Sequence, residues 1–259
     1  MTNKRVKEIA ETLIESVRSA LKKCAVTEAE YRQGVTYLMQ ASEAKEIGLM
    51  CDVFLNSTIV AIKAEKSKGS MPAIQGPYFK EEAPLVDGKL KTYDSDDHKP
   101  LLLYGSVKDE TGAALSDAVI DIWHSTPDGR YSGFGGFHGD IPVDYYRGKV
   151  KTDASGQWRV QTTLPVPYQI PNKGPTGALL GMMGTHSWRP AHVHFKIRKP
   201  GYEPLTTQYY FEGGDWVDSD CCNGVNKDLV KPVVMRGLEQ HMELNFVVER
   251  SAVANAGSV

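Results

Sequence analysis

Ala191-His192-Val193-His194-Phe195-Lys196-Ile197-Arg198 is the stretch on which the reading of this chain turns. Val193, Phe195 and Ile197 are apolar at every second position and the residues between them are polar, the period of a strand half-buried against a core. On such a strand His192 and His194 project from one face, a pleat apart, and two imidazoles so placed can share a metal ion. With seven histidines among 259 residues, the spacing arises by chance in roughly one such chain in six. Two half-exposed histidines on a polar strand face would look the same, so the flanking sequence has to decide.

Working outward, the strand belongs to a series. Residues 101–107, 118–123, 157–164, 205–211 and 241–249 are similar short runs. Turn-forming segments such as Asp109-Glu110-Thr111-Gly112, Asp153-Ala154-Ser155-Gly156 and Lys199-Pro200-Gly201 separate them. Repeated short strands with turn chemistry predict an antiparallel β-sandwich. The Gly- and Pro-rich segment 165–189 is too long for a hairpin turn, and long loops in compact sandwiches are often functional.

Before residue 70 the period is helical. Val6, Ile9, Ala10, Leu13, Ile14, Val17 and Leu21 form one apolar stripe. Thr27-Glu28-Ala29-Glu30 reads as a capping box opening a second helix with Tyr31, Val35, Leu38 and Met39 on its apolar side. A third helix carries Leu49, Val53, Phe54 and Ile59, and Lys66-Ser67-Lys68-Gly69-Ser70-Met71-Pro72 breaks the pattern as a linker. The expected fold class is therefore α+β, mainly β: a helical segment over residues 1–70 and a sandwich over 71–259, with the last ten residues frayed.

A net charge of −2 and a pI near 6.4 provide no basic field for nucleic acid or an anionic membrane. No apolar run approaches the ~20 residues that span a bilayer. Met1-Thr2-Asn3-Lys4-Arg5 runs into an amphipathic segment and not a signal-type apolar stretch, which predicts a cytoplasmic protein. Cys24, Cys51 and the adjacent pair Cys221-Cys222 form no C-x-x-C and read as reduced thiols.

Two tyrosines stand where they could complete a metal site. Tyr131 follows a strand end and a Pro-Asp-Gly turn, and Tyr168 lies in Leu164-Pro165-Val166-Pro167-Tyr168, where prolines fix the backbone. Singly, either is an ordinary half-buried tyrosine. Together with their neighbours they are specific. Asp121-Ile122-Trp123-His124-Ser125, Asp128-Gly129-Arg130-Tyr131-Ser132, Pro165-Val166-Pro167-Tyr168, Arg189-Pro190-Ala191-His192-Val193-His194 and Leu205-Thr206-Thr207-Gln208 occur in this order. Over nearly the whole chain, this resembles the intradiol ring-cleaving dioxygenases.

The resemblance implies one Fe(III) per subunit held by Tyr131, Tyr168, His192 and His194. It implies cleavage of a catechol between its hydroxylated carbons with O2, giving a cis,cis-muconate, with Tyr168 leaving the iron to accept a substrate proton. Arg189 matches the arginine that stabilises charge on the substrate ring, and Gln208 the glutamine beside it. The chemistry agrees. Phenolates are hard anionic donors and imidazoles borderline ones, a set that suits Fe(III). Holding a tyrosine of ordinary pKa ~10 ionised at pH 7 needs about 4 kcal/mol, which a trivalent ion can supply.

Ala73-Ile74-Gln75-Gly76-Pro77-Tyr78-Phe79 resembles the chlorocatechol branch of that family. Carried over, the ring pocket is Leu49, Asp52, Val53, Ile74, Gly76, Tyr78 and Cys222. A polarizable thiol among aliphatic neighbours can accommodate a ring chlorine. The segment 133–139 is more glycine-rich than expected and reads as a surface insertion with a solvent-exposed His138. The resemblance further implies a homodimer through the N-terminal helices, with phospholipid at their interface. The alternatives are catechol or hydroxyquinol 1,2-dioxygenation, a zinc hydrolase built on His192 and His194, and a metal-free β-sandwich binding module.

Overall fold

The computed structural model describes residues 3–95 and 98–251. The opening stripe becomes α1 (Asn3–Lys23), which buries none of its residues; Leu13, Ile14 and Val17 are exposed. α2 (Glu28–Glu43) begins at the expected capping box. Thr27 Oγ1 accepts the Glu30 N–H (3.3 Å) while the Glu30 carboxylate accepts the Thr27 N–H (2.8 Å). The chain divides into two compact units, Met1–Ile47 and Gly48–Val259. The expected third helix is two, α3 (Ile47–Phe54) and α4 (Asn56–Ala64), bent by 47° at Leu55. The bend lets Asn56 Nδ2 donate back to Asp52 Oδ1 (3.1 Å). No single helix among the described residues is long and apolar enough to cross a membrane.

The linker is anchored: Ser67 Oγ and the N–H groups of Lys68 and Gly69 (2.7 and 2.9 Å) donate to the Glu249 carboxylate. Beyond it lie β1 (Pro100–Asp109), β2 (Val119–His124), β3 (Arg147–Lys151), β4 (Gln157–Thr163), β5 (Tyr168–Gln169), β6 (Trp188–Arg189), β7 (His192–Arg198) and β8 (Leu205–Phe211). β9 (Val230–Lys231), β10 (Val234–Arg236), β11 (Glu239–Glu243) and β12 (Phe246–Val248) close the described chain. One sheet runs β10-β11-β1-β12, with β4 antiparallel to β1; the facing sheet runs β3-β2-β7-β8-β9. Between them Leu101, Leu103, Val107, Ile120, Ile122, Trp158, Val160, Phe195 and Phe246 form the core.

The sandwich is antiparallel in its main ladders, but β11 and β12 lie parallel to β1, and β9 parallel to β8. The expected single strand over 241–249 is split. β11 and β12 keep one register along β1, with Leu101 opposite Gln240 and Val107 opposite Phe246, but the chain breaks the ladder at Leu244-Asn245, where Asn245 Oδ1 accepts the Ser106 N–H (2.9 Å). The Leu244 N–H donates to Tyr104 O (2.8 Å). It passes so close that a Cβ on Gly105 would lie 1.9 Å from Leu244 O, and only glycine fits. Of the last ten residues, Arg250 and Ser251 are described and held, by Asp109 and Gly201 O; the expectation for the others lies outside the described residues.

β7 is buried on both faces at its start and not half-buried as its period suggested. Val193, Phe195 and Ile197 face the sandwich core, while His192 and His194 face a second cluster containing Val53, Ile74, Tyr78, Trp123, Tyr131, Tyr168 and Cys222. The segment 165–189 is not an open loop. Its ends pair as an antiparallel ribbon, β5 with β6, that sets Tyr168 opposite Arg189, and α5 (Pro175–Met182) fills the excursion between them.

Candidate active site and metal centre

Sheet register assembles the base of the site. Trp123, His194 and Gln208 are direct neighbours across β2, β7 and β8, and His192 lies opposite Tyr210. The Trp123 indole stacks on the His194 ring at 4.6 Å and 6°, fixing the imidazole plane. Pro190 O, which can only accept, lies 2.7 Å from His192 Nδ1. That nitrogen carries the proton, so Nε2 presents a lone pair. The two Nε2 atoms lie 3.1 Å apart, and Tyr131 Oη is 3.5 Å from His194 Nε2. The Tyr131 and Tyr168 rings meet edge-on at 5.2 Å, and the Tyr168 ring lies 5.7 Å from that of His192. All four expected ligands are buried together.

Burial dominates their acid–base behaviour. It pushes His192 down to about 3, helped by the Arg189 charge, and His194 well below its ordinary value, so both imidazoles are neutral donors near pH 7. It pushes the Tyr131 and Tyr168 phenols up; a hydrogen bond with Tyr168 partly offsets this at Tyr131, whereas the charge of Tyr131 pushes Tyr168 up further. Ionised phenolates here therefore need a strong cation between them.

Arg189 is buried beside the donors. Its Nε and Nη2 form a fork on the two Asp220 carboxylate oxygens (3.1 and 3.0 Å), and Nη2 also reaches Gln208 Oε1 and Tyr210 Oη (both 3.1 Å). Burial opposes the Asp220 charge, but Arg189 outweighs it and holds the carboxyl below its ordinary value. The Gln208 amide is oriented by these acceptor contacts. Its Nε2 donates to Ile74 O and lies 3.2 Å from His194 Nδ1. Beside Tyr168 and Arg189 opens a cavity walled by Leu49, Asp52, Val53, Ile74, Gly76, Tyr78 and Cys222, with Asn56, Pro77 and Ile170 completing it. Every residue expected from the sequence in the ring pocket lines this one space.

Comparison with known proteins identifies the family. Residues 3–71 match the catechol dioxygenase N-terminus family and residues 74–249 the dioxygenase family. The chain belongs to the intradiol ring-cleaving dioxygenases. A chlorocatechol 1,2-dioxygenase of Cupriavidus pinatubonensis (strain JMP 134 / LMG 1197) is 59% identical over 256 residues, 99% of each chain. The crystal structure of chlorocatechol 1,2-dioxygenase from Pseudomonas putida superposes with a TM-score of 0.92 at 60% identity, covering 96% of this chain and 100% of that one. The 3-chlorocatechol 1,2-dioxygenase of Rhodococcus opacus 1CP gives 0.90 at 35% identity, covering 96% and 100%. This family is in general dependent on non-haem iron.

The donor set fits such a metal: two neutral imidazoles and two phenols converge inside an apolar, aromatic shell. Asp220, Cys221 and Cys222 also bring ligand atoms within 4.8 Å of one another. The Asp220 carboxylate is already engaged by Arg189 and by the N–H groups of Cys222 and Gly224 (3.2 and 3.1 Å), so this trio is a brace and not a rival metal site. The two thiols are free, buried and 3.8 Å apart.

Sequence reasoning missed four contributors. Asp220 and Tyr210 frame Arg189. Arg147, buried without a carboxylate partner among the described residues, donates to Tyr78 O (2.9 Å) and to Ser132 Oγ and O (2.9 and 3.1 Å). The fourth corrects an expectation: His138 is buried, not solvent-exposed. Its Nδ1 accepts the Tyr131 N–H (3.0 Å), and burial pushes it down to about 4. A neutral surface insertion cannot describe a loop that puts an imidazole against a candidate metal ligand.

Proposed function

We propose that this chain is a ferric intradiol dioxygenase that cleaves catechols, chlorinated ones included, between the two hydroxylated carbons with O2 to give cis,cis-muconates. The observation that carries this reading is the convergence of Tyr131, Tyr168, His192 and His194 at one end of the cavity that holds Ile74, Tyr78 and Cys222. The four side chains would hold one Fe(III) per subunit. When bound, the iron supplies Lewis acidity to the diol and a site for its reaction with O2.

The chain's own residues supply the rest. Tyr168 Oη takes a proton from one substrate hydroxyl; it sits on a two-residue ribbon outside the main sheets, whereas the backbone of Tyr131 and Ser132 is tied down by His138 and Arg147. Arg189, at the cavity wall with its fork fixed by Asp220, faces negative charge developing on the ring oxygens. Gln208 holds His194 and the 74–76 segment in one frame. Val53, Ile74 and Tyr78 exclude water from the ring face. Chlorocatechols are favoured over hydroxyquinols because Leu49, Val53, Ile74 and the Cys222 thiol line much of the cavity, and one substituent there is worth ~1–3 kcal/mol.

The helical residues 1–70 serve as dimerisation and linker region and 71–259 as the catalytic part, although α3 also lends Leu49, Asp52 and Val53 to the pocket. Exposed Leu13, Ile14 and Val17 on α1 support pairing of these helices in a homodimer, with phospholipid between them. Light scattering at the monomer mass would remove the dimer, and lipid-free denaturing extracts would remove the lipid. Four free cysteines accord with a cytoplasmic location.

The deciding experiment is visible absorption of the purified protein before and after anaerobic addition of catechol. A tyrosinate-to-iron band that moves to longer wavelength on addition is the expected result. An iron-loaded but colourless protein would overturn the ligand set, and protein that takes up only zinc or no metal would support the hydrolase or binding-module alternatives.

A further inference from the structure

The glycine-rich segment 133–139 turns on Gly135 and Gly136, whose φ values of 59° and 52° belong to the left-handed region that glycine tolerates. The turn brings His138 back into the interior, where it does two separate things. Its Nδ1 accepts the backbone N–H of Tyr131, a residue with no solvent exposure, so this donor depends on a protein acceptor. Its ring packs edge-on against Tyr78 at 4.6 Å and 76°, and Tyr78 in turn stacks on the Tyr131 ring at 4.3 Å and 20°. Arg147 clamps the same pair from the backbone, through Tyr78 O and Ser132 O. One side chain thus touches both a candidate iron ligand and a wall of the ring pocket.

We propose that His138 is a positioning residue that fixes Tyr131 relative to Tyr78, coupling the geometry of the metal ligand to the width of the slot that receives the substituted ring. The inference rests on the ferric dioxygenase reading above. The two contacts are chemically separable. Asparagine at 138 offers an acceptor to the Tyr131 N–H but little ring contact, and phenylalanine offers the ring contact without the acceptor.

The test compares the full-length, iron-loaded protein with His138→Ala, His138→Asn and His138→Phe. Readouts are the tyrosinate-to-iron absorption maximum, kcat and KM for catechol and 4-chlorocatechol, and hydrogen exchange of the peptide carrying the Tyr131 amide. His138→Ala should move the absorption maximum, speed exchange, and change the KM ratio of the two substrates by about tenfold. His138→Asn should restore the maximum and slow exchange but leave the altered ratio. His138→Phe should restore the ratio but not the maximum. Unchanged maximum and ratio in His138→Ala, or Asn and Phe variants that behave alike, would overturn the proposal. If the parent protein itself shows no tyrosinate band, it is the ferric reading that fails, and the exchange data still report whether His138 holds Tyr131.

Discussion

Arg189 is a fully enclosed cation whose charge is met by one carboxylate, Asp220. Converting that carboxylate to an amide leaves the guanidinium uncompensated, so Asp220→Asn is expected to lower stability by about 3–5 kcal/mol in urea unfolding. It should also cut kcat, because the fork that Asp220 sets is lost. At the other end of the site, Tyr131→Phe and Tyr168→Phe should each remove much of the visible charge-transfer intensity, and retained full intensity in either would exclude that residue as a ligand. The four candidate donors were picked out by the ordered strings that resemble the intradiol family, since the H-x-H spacing and either tyrosine alone are common. Asp220, Tyr210, Arg147 and His138 were not. Their roles depend on which buried group each happens to meet, and no spacing in the sequence encodes the pairing of Asp220 with Arg189 across 31 residues.

A single element, β7, belongs half to the core and half to the site; its period of two revealed the core face, but the burial of His192 and His194 on the other face was not in the period. The long strands β1, β2, β4 and β8 were legible for the same reason. β5, β6, β9 and β10 contain two or three residues each, too few to show a period, so the ribbon that faces Tyr168 to Arg189 was read as loop. The parallel pairing of β11 and β12 with β1 was hidden as well, since alternation says nothing about strand direction. The close approach at Gly105 yields a sharp expectation: Gly105→Ala should cost ~3 kcal/mol or more in thermal unfolding, because the added methyl meets the backbone of Leu244 and not a side chain that can move. A variant as stable as the parent would mean that the Leu244 backbone can move away from β1.

Over the whole molecule, buried histidines set the response to acid. His138 and His192 are pushed to about 4 and about 3, and His194 well below its ordinary value, all chiefly by burial. The unfolded chain binds these protons near pH 6.5, so stability of the metal-free protein is complete above that pH and falls as pH drops below it. Each histidine contributes up to ~1.4 kcal/mol per pH unit until its folded value is reached. Urea midpoints should hold level from pH 7.5 to about 6.5 and decline from there to pH 5, and a profile flat throughout would show that the three rings have access to water. The layout around those rings has a different consequence. The proposed metal frame is fastened to β7, to the 130–132 turn and to the β5–β6 ribbon, while the walls around the aromatic ring come from α3, the 74–78 segment and the 220–222 bend. Socket and sleeve are made from different stretches of chain. Selection acting on the kind of aromatic compound consumed can therefore rewrite the sleeve one residue at a time, at Leu49, Val53 or Cys222, without dismantling the socket in which oxygen is used.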